Sequence, residues 1–339
     1  MSNLRVAIVG CGFIGQKRAR SMPGATLTVC CDPNVERAHQ VARPSGAAVT
    51  TSWREAATSP DADVVVVATT HDMLAPIATA AAAAGKHVLV EKPAARRSAE
   101  LEALAAAALA SGVMVRIGFN HRYHPALQKA KEIADTGCLG ELMFVRGRYG
   151  HGGRPGYDRE WRADPNLSGG GEAIDQGVHL VDLARWFLGD FSDVQGYAAT
   201  YFWDMPVEDN AFFLLRTATG QTAFLHASWT EWKNTFSLEV AGRLGKLELT
   251  GLGGSYGTER VAHYQMTPEM GPPPTFIYEY PMADTSWEQE WREFAEDIRS
   301  GRQPRPGIAD AAAALAVVEG VYRQSGRLIE LPPPAGVAL

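Results

Sequence analysis

Cysteine is scarce in this chain. Four stand among 339 residues, at Cys11, Cys30, Cys31 and Cys138, and no Cys-x-x-Cys pair occurs. That argues against a disulfide framework and against a zinc knuckle. Cys30 and Cys31 are neighbours in a predicted strand and point to opposite faces, so no bridge is expected between them. Positive charge is not in excess either: 32 Lys and Arg stand against 38 Asp and Glu, a net charge of -6. Nothing in that balance draws nucleic acid or an anionic membrane. Long apolar runs are missing. The alanine-rich stretch 74–84 is too short to span a bilayer and is bounded by Asp72 and Lys86. Residues 1–5 lead into a short, glycine-broken apolar run rather than a signal peptide, so a cytoplasmic location is expected. No internal repeat is found. What remains is an ordinary globular composition, 46% apolar and 21% charged, long enough for two domains and a sizeable core.

One short stretch organises the rest: Val88-Leu89-Val90-Glu91-Lys92-Pro93. A brief apolar run is typical of a parallel strand covered on both faces. Ligands in open α/β sheets sit beyond the carboxyl ends of strands, so Glu91 and Lys92 are expected to reach a ligand; the plainer reading is a solvated strand end. Upstream, the β-rich run 4–9 leads into Gly10-Cys11-Gly12-Phe13-Ile14-Gly15 and then a helix-forming stretch. This is Gly-x-Gly-x-x-Gly in the strand–turn–helix context that the motif requires. Gly10 serves the tight turn, Gly12 the approach of a pyrophosphate and Gly15 close helix packing, and the helix N-terminus offers free N–H groups to phosphates. A second strand, 26–31, ends in Asp32, placed to accept hydrogen bonds from ribose hydroxyls; a helix cap is its plainer role. A carboxylate there is expected to favour NAD over NADP, by repelling the 2′-phosphate. Strands and helices go on alternating to residue 117, which implies a parallel sheet with right-handed crossovers. The turn Thr69-Thr70-His71-Asp72 lies at the same sheet edge and is expected along the cofactor.

From Leu142 the pattern changes. Segments 142–149, 211–217, 221–229, 236–240 and 246–250 are β-rich with glycine turns between them, which implies an antiparallel sheet. Segment 150–171 is long, glycine-rich and charged, with Tyr157, Trp161 and Arg162 inside, and reads as a lid or binding loop rather than a disordered insertion. A helix is predicted over 172–188, with Asp175, His179, Asp182 and Trp186 on one stripe. The Asp175–His179 pair has three plain readings: a surface ion pair, half of a metal site, or a satisfied interior histidine. No histidine cluster supplies the further ligands that a metal needs. Trp287, Trp291, Phe294 and Ile298 form an amphipathic stripe, and a last helix is predicted over 309–322. Pro272–Pro274 and Pro332–Pro334 read as stiff connectors.

The chain resembles the glucose-fructose oxidoreductase, inositol dehydrogenase and rhizopine-catabolism (Gfo/Idh/MocA) dehydrogenases. The resemblance rests on Gly85-Lys86-His87-Val88-Leu89 running into Glu91-Lys92-Pro93, on Gly118-Phe119-Asn120-His121-Arg122-Tyr123, and on Gly169-Gly170-Gly171 followed by Asp175 and His179. It covers nearly the whole chain. Thr70-His71 stand where Pro-Asn is usual in the family, and Leu74 where His is usual. It implies an α/β Rossmann domain over 1–120 and an α+β domain with an open, mainly antiparallel sheet over 121–339, whose helix at about 309–322 returns towards the first domain. It further implies hydride transfer between NAD, NADP less readily, and a secondary alcohol or ketone of a sugar, sugar derivative or cyclitol. Lys92, Asp175 and His179 would be the catalytic set: His179 moves the proton, Asp175 orients it, and Lys92 stabilises the alkoxide. Gly10, Gly12, Phe13, Ile14, Gly15, Asp32, Thr69, Thr70, His71, Glu91, Lys92 and Asn120 would hold the cofactor. Arg122, Tyr123, Trp161 and Arg162 would join Lys92, Asp175 and His179 on the substrate side. A homodimer or homotetramer through the second sheet is implied as well. Two rival classes are a glycoside hydrolase working by transient oxidation on bound NAD and a non-catalytic dinucleotide sensor.

Overall fold

Six parallel strands fill the first third of the chain: β1 (Leu4–Val9), β2 (Ala25–Cys31), β3 (Ala48–Thr50), β4 (Val64–Val67), β5 (His87–Glu91) and β6 (Val115–Gly118). The computed structural model describes residues 3–269 and 271–332, so Pro333 and Pro334 of the expected connector lie outside the described residues. The strands line up as β3-β2-β1-β4-β5-β6, reversing direction of travel between β1 and β4, which opens a crevice at the carboxyl ends. Helices α1 (Phe13–Arg20), α2 (Val35–Ala42), α3 (Trp53–Ala57), α4 (His71–Ala83) and α5 (Glu102–Ser111) connect them. The five residues of α3, capped by the Ser52 hydroxyl, are too few to show a helical period, and the sequence reading missed them. Strand alternation sends Ala7, Val9, Val65, Val67, Val88 and Val90 to one layer, and Val6, Ile8, Val64, Val66 and Leu89 to the other. Cys31 and Cys30 follow the same split, so they face apart as expected.

After α6 (Pro125–Asp135) comes β7 (Leu142–Gly150), then the loop with the short α7 (Pro165–Ser168), and then α8 (Val178–Leu188), entered through a π-helical turn at Ala173–Gly177. The remaining strands are β8 (Phe191–Ala199), β9 (Asn210–Thr217), β10 (Thr222–Ser228), β11 (Thr235–Gly242), β12 (Gly245–Thr250), β13 (Glu259–Gln265) and β14 (Thr275–Tyr280). They form an eight-stranded sheet, β14-β13-β12-β11-β7-β10-β9-β8, antiparallel except where β7 meets β10. A second, mostly antiparallel sheet was expected; β8, β13 and β14 were not, β8 and β13 because polar and small residues dilute their alternation, whereas β14 (TFIYEY) carried a strand signal that was overlooked. One face packs under α8. The other leaves Tyr197, Leu214 and Phe224 exposed.

Two last helices tie the sheets together. In α9 (Ser286–Ser300), Trp291 and Phe294 pack against Val6, Ile8 and Val64, covering a face of the first sheet. Arg18 of α1 is buried between Glu91 and Glu290, which locks α1, β5 and α9. In α10 (Ile308–Gln324), Ala314, Leu315, Val318 and Val321 are buried, and just before it the Pro306 carbonyl accepts from the Ile117 amide of β6.

Candidate active site

Lys92 follows directly on β5, at the carboxyl edge of the parallel sheet. Ala94, two residues later, holds φ 73, a left-handed conformation that costs a residue with a Cβ about 1–2 kcal/mol. Such strain is retained where a turn must present a side chain in one direction. Lys92 Nζ donates to Asp175 Oδ1 at 2.5 Å and to the Asp175 carbonyl at 2.7 Å. Arg162 Nε, from the long loop, donates to Asp175 Oδ2 at 2.9 Å. Both carboxylate oxygens are therefore held by cations. Burial alone would push the Asp175 carboxyl up; Lys92 and Arg162 outweigh it and hold it well below the usual range.

The start of the helical segment fixes these groups. Glu208 is buried and accepts the amides of Gly171 and Ala173 at 3.0 Å and the Tyr322 hydroxyl at 2.6 Å. It satisfies the orphan donors that a helix N-terminus leaves. A Cβ on Gly171 would lie 1.9 Å from the Glu208 carbonyl, so only glycine fits there. Sequence reasoning missed Glu208; its only signal was a carboxylate in an otherwise plain segment.

His179 is buried, stacked on His121 with ring centroids 3.7 Å apart, and edged by Phe119. Burial, with Lys92 adding, holds its imidazole well below the usual histidine range, so the ring is neutral near pH 7. One expectation fails here. Asp175 does not hydrogen-bond His179, whose Nδ1 has no protein partner. The π turn between them is wider than an α turn, so residues four apart no longer stack, and Asp175 orients Lys92 instead.

The glycine turn forms a cradle suited to a dinucleotide. Gly10 holds φ 94, and a Cβ there would lie 2.3 Å from the Ala68 carbonyl. Nothing stands within 4 Å of the space over Gly12, which starts α1 with no side-chain cap and no acid in the first turn. The helix N–H groups are thus free for phosphate. Phe13 beside them is exposed and Ile14 half-buried. Asp32 faces the turn and accepts the Cys11 amide at 2.8 Å and the Asn34 amide at 2.9 Å; Asn34, not Asp32, caps α2. These residues fit NAD.

The other expected site residues have protein partners. Glu91 does not reach the crevice, because Arg18 Nε takes its carboxylate at 2.6 Å. His71 braces the loop: its Nδ1 lies 2.8 Å from the Ser168 carbonyl and its ring edges Trp161, within electrostatic reach of Lys92 and Asp175. Thr70 stands at the N-cap position of α4 without a side-chain cap bond and donates its hydroxyl to Asp72, while the Thr69 hydroxyl donates to the Thr70 carbonyl. Asn120 is buried against Ser286 and His121. Arg122 is withdrawn from the substrate side: it clamps Asp182 with two bonds, at 2.8 and 2.6 Å, and reaches Asp310 at 3.0 Å. Tyr123 is withdrawn with it, its hydroxyl bonded to Arg116 and to the Arg305 carbonyl. Arg122 and Tyr123 line the junction of α6, α8 and α10, whereas His121 of the same turn stacks on His179.

Comparison with known proteins agrees with this geometry. Residues 4–119 match the oxidoreductase family, NAD-binding Rossmann fold, and residues 127–248 match the GFO/IDH/MocA C-terminal domain. A levoglucosan dehydrogenase of Pseudarthrobacter phenanthrenivorans is 33% identical over 65% of this chain, which spans 60% of that protein. The NAD-dependent scyllo-inositol 2-dehydrogenase of Bacillus subtilis is 28% identical over 93% of this chain and 92% of its own. A levoglucosan dehydrogenase solved with NADH and levoglucosan superposes with a TM-score of 0.86 at 25% identity, covering 98% of this chain and all of that one. Among the described residues no helix is long and apolar enough to cross a membrane. With both halves of the family pattern matched and an NAD cradle in the first, this chain belongs to the Gfo/Idh/MocA family of NAD-binding oxidoreductases.

Proposed function

We propose that the protein oxidises a secondary alcohol of a sugar, sugar derivative or cyclitol, or reduces the matching ketone. The observation that carries this is Lys92 Nζ held 2.5 Å from Asp175, beside the neutral imidazole of His179, at the crevice edge of the parallel sheet. NAD, when bound, supplies the hydride acceptor in oxidation and the donor in reduction. Gly10, Gly12 and Gly15 with the start of α1 take the pyrophosphate, and Asp32 the adenosine ribose. Asp32 disfavours the 2′-phosphate of NADP, since like charges about 4 Å apart at an effective dielectric near 20 repel by roughly 4 kcal/mol before screening. His179, uncharged, accepts the hydroxyl proton in oxidation and returns it in reduction. Lys92 stabilises the developing alkoxide. Asp175 keeps the Lys92 side chain aimed, and Arg162, with Trp161 beside it on the loop, covers the site.

The outer face of the second sheet supports a further reading. Tyr197, Leu214 and Phe224 are about half exposed or more on one sheet surface, which fits a subunit contact in a homodimer or homotetramer. The division into a cofactor domain to about residue 120 and a substrate domain after it goes with this reading. The test is NADH formation over a panel of sugars and cyclitols, with glycosides included. Product released from a glycoside without net NADH would favour transient-oxidation hydrolysis, and binding of NAD with no turnover of any compound would favour a sensor.

A further inference from the structure

Buried polar side-chain atoms without a hydrogen-bond partner are concentrated in one place. Among the described residues nine such atoms occur, and six belong to Glu172, Gln176, His121, His179 and Trp229. The other three belong to Arg18, Arg116 and Glu290, in the ion networks around α1 and α9. Native interiors satisfy nearly all such groups, so a cluster of orphans marks where something else bonds.

Glu172 is the sharpest case. It has no exposed surface, and neither carboxyl oxygen has a partner. Glu208, whose carbonyl accepts the Glu172 amide and which is also buried, is an internal control: its carboxylate takes two amides and a hydroxyl. A carboxyl placed for structure is satisfied; Glu172 is not. Its neighbours belong to the site already described. Glu172 lies within electrostatic reach of Asp175, Lys92 and Arg162, and Gln176 follows Asp175 directly in the π turn. Gln176 Nε2 donates to the Tyr256 hydroxyl at 3.4 Å, which leaves its Oε1 open. Tyr149 packs between, its ring 5.1 Å from both His121 and Tyr256. Resting on the oxidoreductase reading, we propose that Glu172 and Gln176 form a second polar wall of the substrate chamber, which hydrogen-bonds the non-reacting hydroxyl groups of an uncharged cyclic polyol.

The chemistry of the wall selects that class. Burial, with the charge of Asp175 adding, pushes the Glu172 carboxyl well above its usual range, so it is a neutral acid near pH 7. A neutral carboxyl offers one donor and acceptor oxygens, and Gln176 offers an acceptor; a ring hydroxyl is itself both donor and acceptor. Lys92 and Arg162 are both paired with Asp175, and Lys92 is also taken by the reacting oxygen, so neither of these two is left over for a carboxylate or phosphate elsewhere on the substrate.

The test pairs substitutions with substrate analogues. Wild type, Glu172→Gln and Glu172→Ala are assayed with scyllo-inositol, myo-inositol, levoglucosan, monodeoxy analogues of whichever is oxidised, glucuronate and a sugar phosphate. Melting temperature and NAD binding serve as checks on folding. Glu172→Ala is expected to lower kcat/KM about 10- to 100-fold, mostly through KM, for the parent polyol. One monodeoxy analogue, poor with wild type, should lose little more in Glu172→Ala, because the contact is already gone. Glu172→Gln, which keeps a donor and an acceptor, should retain most of the activity. Unchanged KM in Glu172→Ala, or equal losses for the parent and every deoxy analogue, would sink the proposal, as would preference for the anionic sugars. A wild type that binds NAD but oxidises none of the panel would instead sink the oxidoreductase reading beneath it.

Discussion

Two aspartates seven residues apart on one helical segment meet cations and do different things. Asp175 is held by Lys92 and Arg162, whose side chains are 18% and 28% exposed. Asp182 is clamped by Arg122, 8% exposed, which is shared with Asp310. Two cations hold the Asp175 carboxyl well down, whereas burial keeps that of Asp182 raised despite Arg122. Around Asp175 stand the orphaned atoms of Glu172, Gln176 and His179; around Asp182 the arginine fork bonds both carboxylate oxygens. A charged cluster that closes on itself is a fastening. One whose partners reach solvent and whose neighbours lack bonds is built for a ligand.

The largest expected effect tests that contrast on the catalytic side. His179→Ala should lower turnover about 100- to 10,000-fold while fluorescence titration finds NAD binding intact. Lys92→Ala should cost about 100- to 1000-fold, and the double variant less than the product of the two, since both act on one step. Full activity of His179→Ala at neutral pH would erase the distinction. On the structural side, Asp182→Asn leaves Arg122 buried with only Asp310. Chemical denaturation should show it about 3–5 kcal/mol less stable, with turnover per folded molecule unchanged. A kinetic defect at full stability would reverse the two roles.

Asp175→Asn lies between. It strips Lys92 of its anchor, and turnover should drop by about 10- to 100-fold, the cost of a buried donor left badly paired. The Asp175 charge raises the His179 imidazole, so the acid limb of the pH profile should move to lower pH in this variant, and an unmoved limb would show that the charge does not reach the ring. The smallest effect separates the regions by pH. Burial, with Lys92 adding, lowers the His71 imidazole to about 3, and His71 touches the site loop, not the Asp182 clamp. Its folded pKa lies below its unfolded one, so the unfolded chain binds the extra proton and stability falls as pH drops. His71 should contribute about 1.4 kcal/mol per pH unit to the slope between the ordinary histidine range and about pH 3, and the slope should be smaller by that amount in His71→Asn. Equal slopes in both proteins would remove His71 from the account.

Much of the first sheet was legible because local rules decide it. The valines of β4 have no other period to follow, and Gly-x-Gly-x-x-Gly before a helix start leaves few conformations open. The catalytic candidates Lys92, Asp175 and His179 were legible by motif, yet the bond that joins Lys92 to Asp175 spans 83 residues of chain. No local rule reports such a partner. The same holds for the residues that were misplaced. Glu91 and Arg122 are charged and stand beside motif residues, so they read as ligand-facing; only folding brings Arg18 to the one and Asp182 to the other. Spacing predicted that Asp175 would face His179, and one π turn undid it. Glu172 and Glu208 look alike as letters. Which is satisfied and which is left open depends on the few ångströms that separate each carboxyl from a donor, and packing sets that distance. The sequence by itself determined most elements of the first sheet, the glycine cradle and the choice of NAD, because those rest on backbone conformation and charge sign. The tertiary structure alone decided which charges fasten the fold and which stay available, because pairing is a matter of position in space.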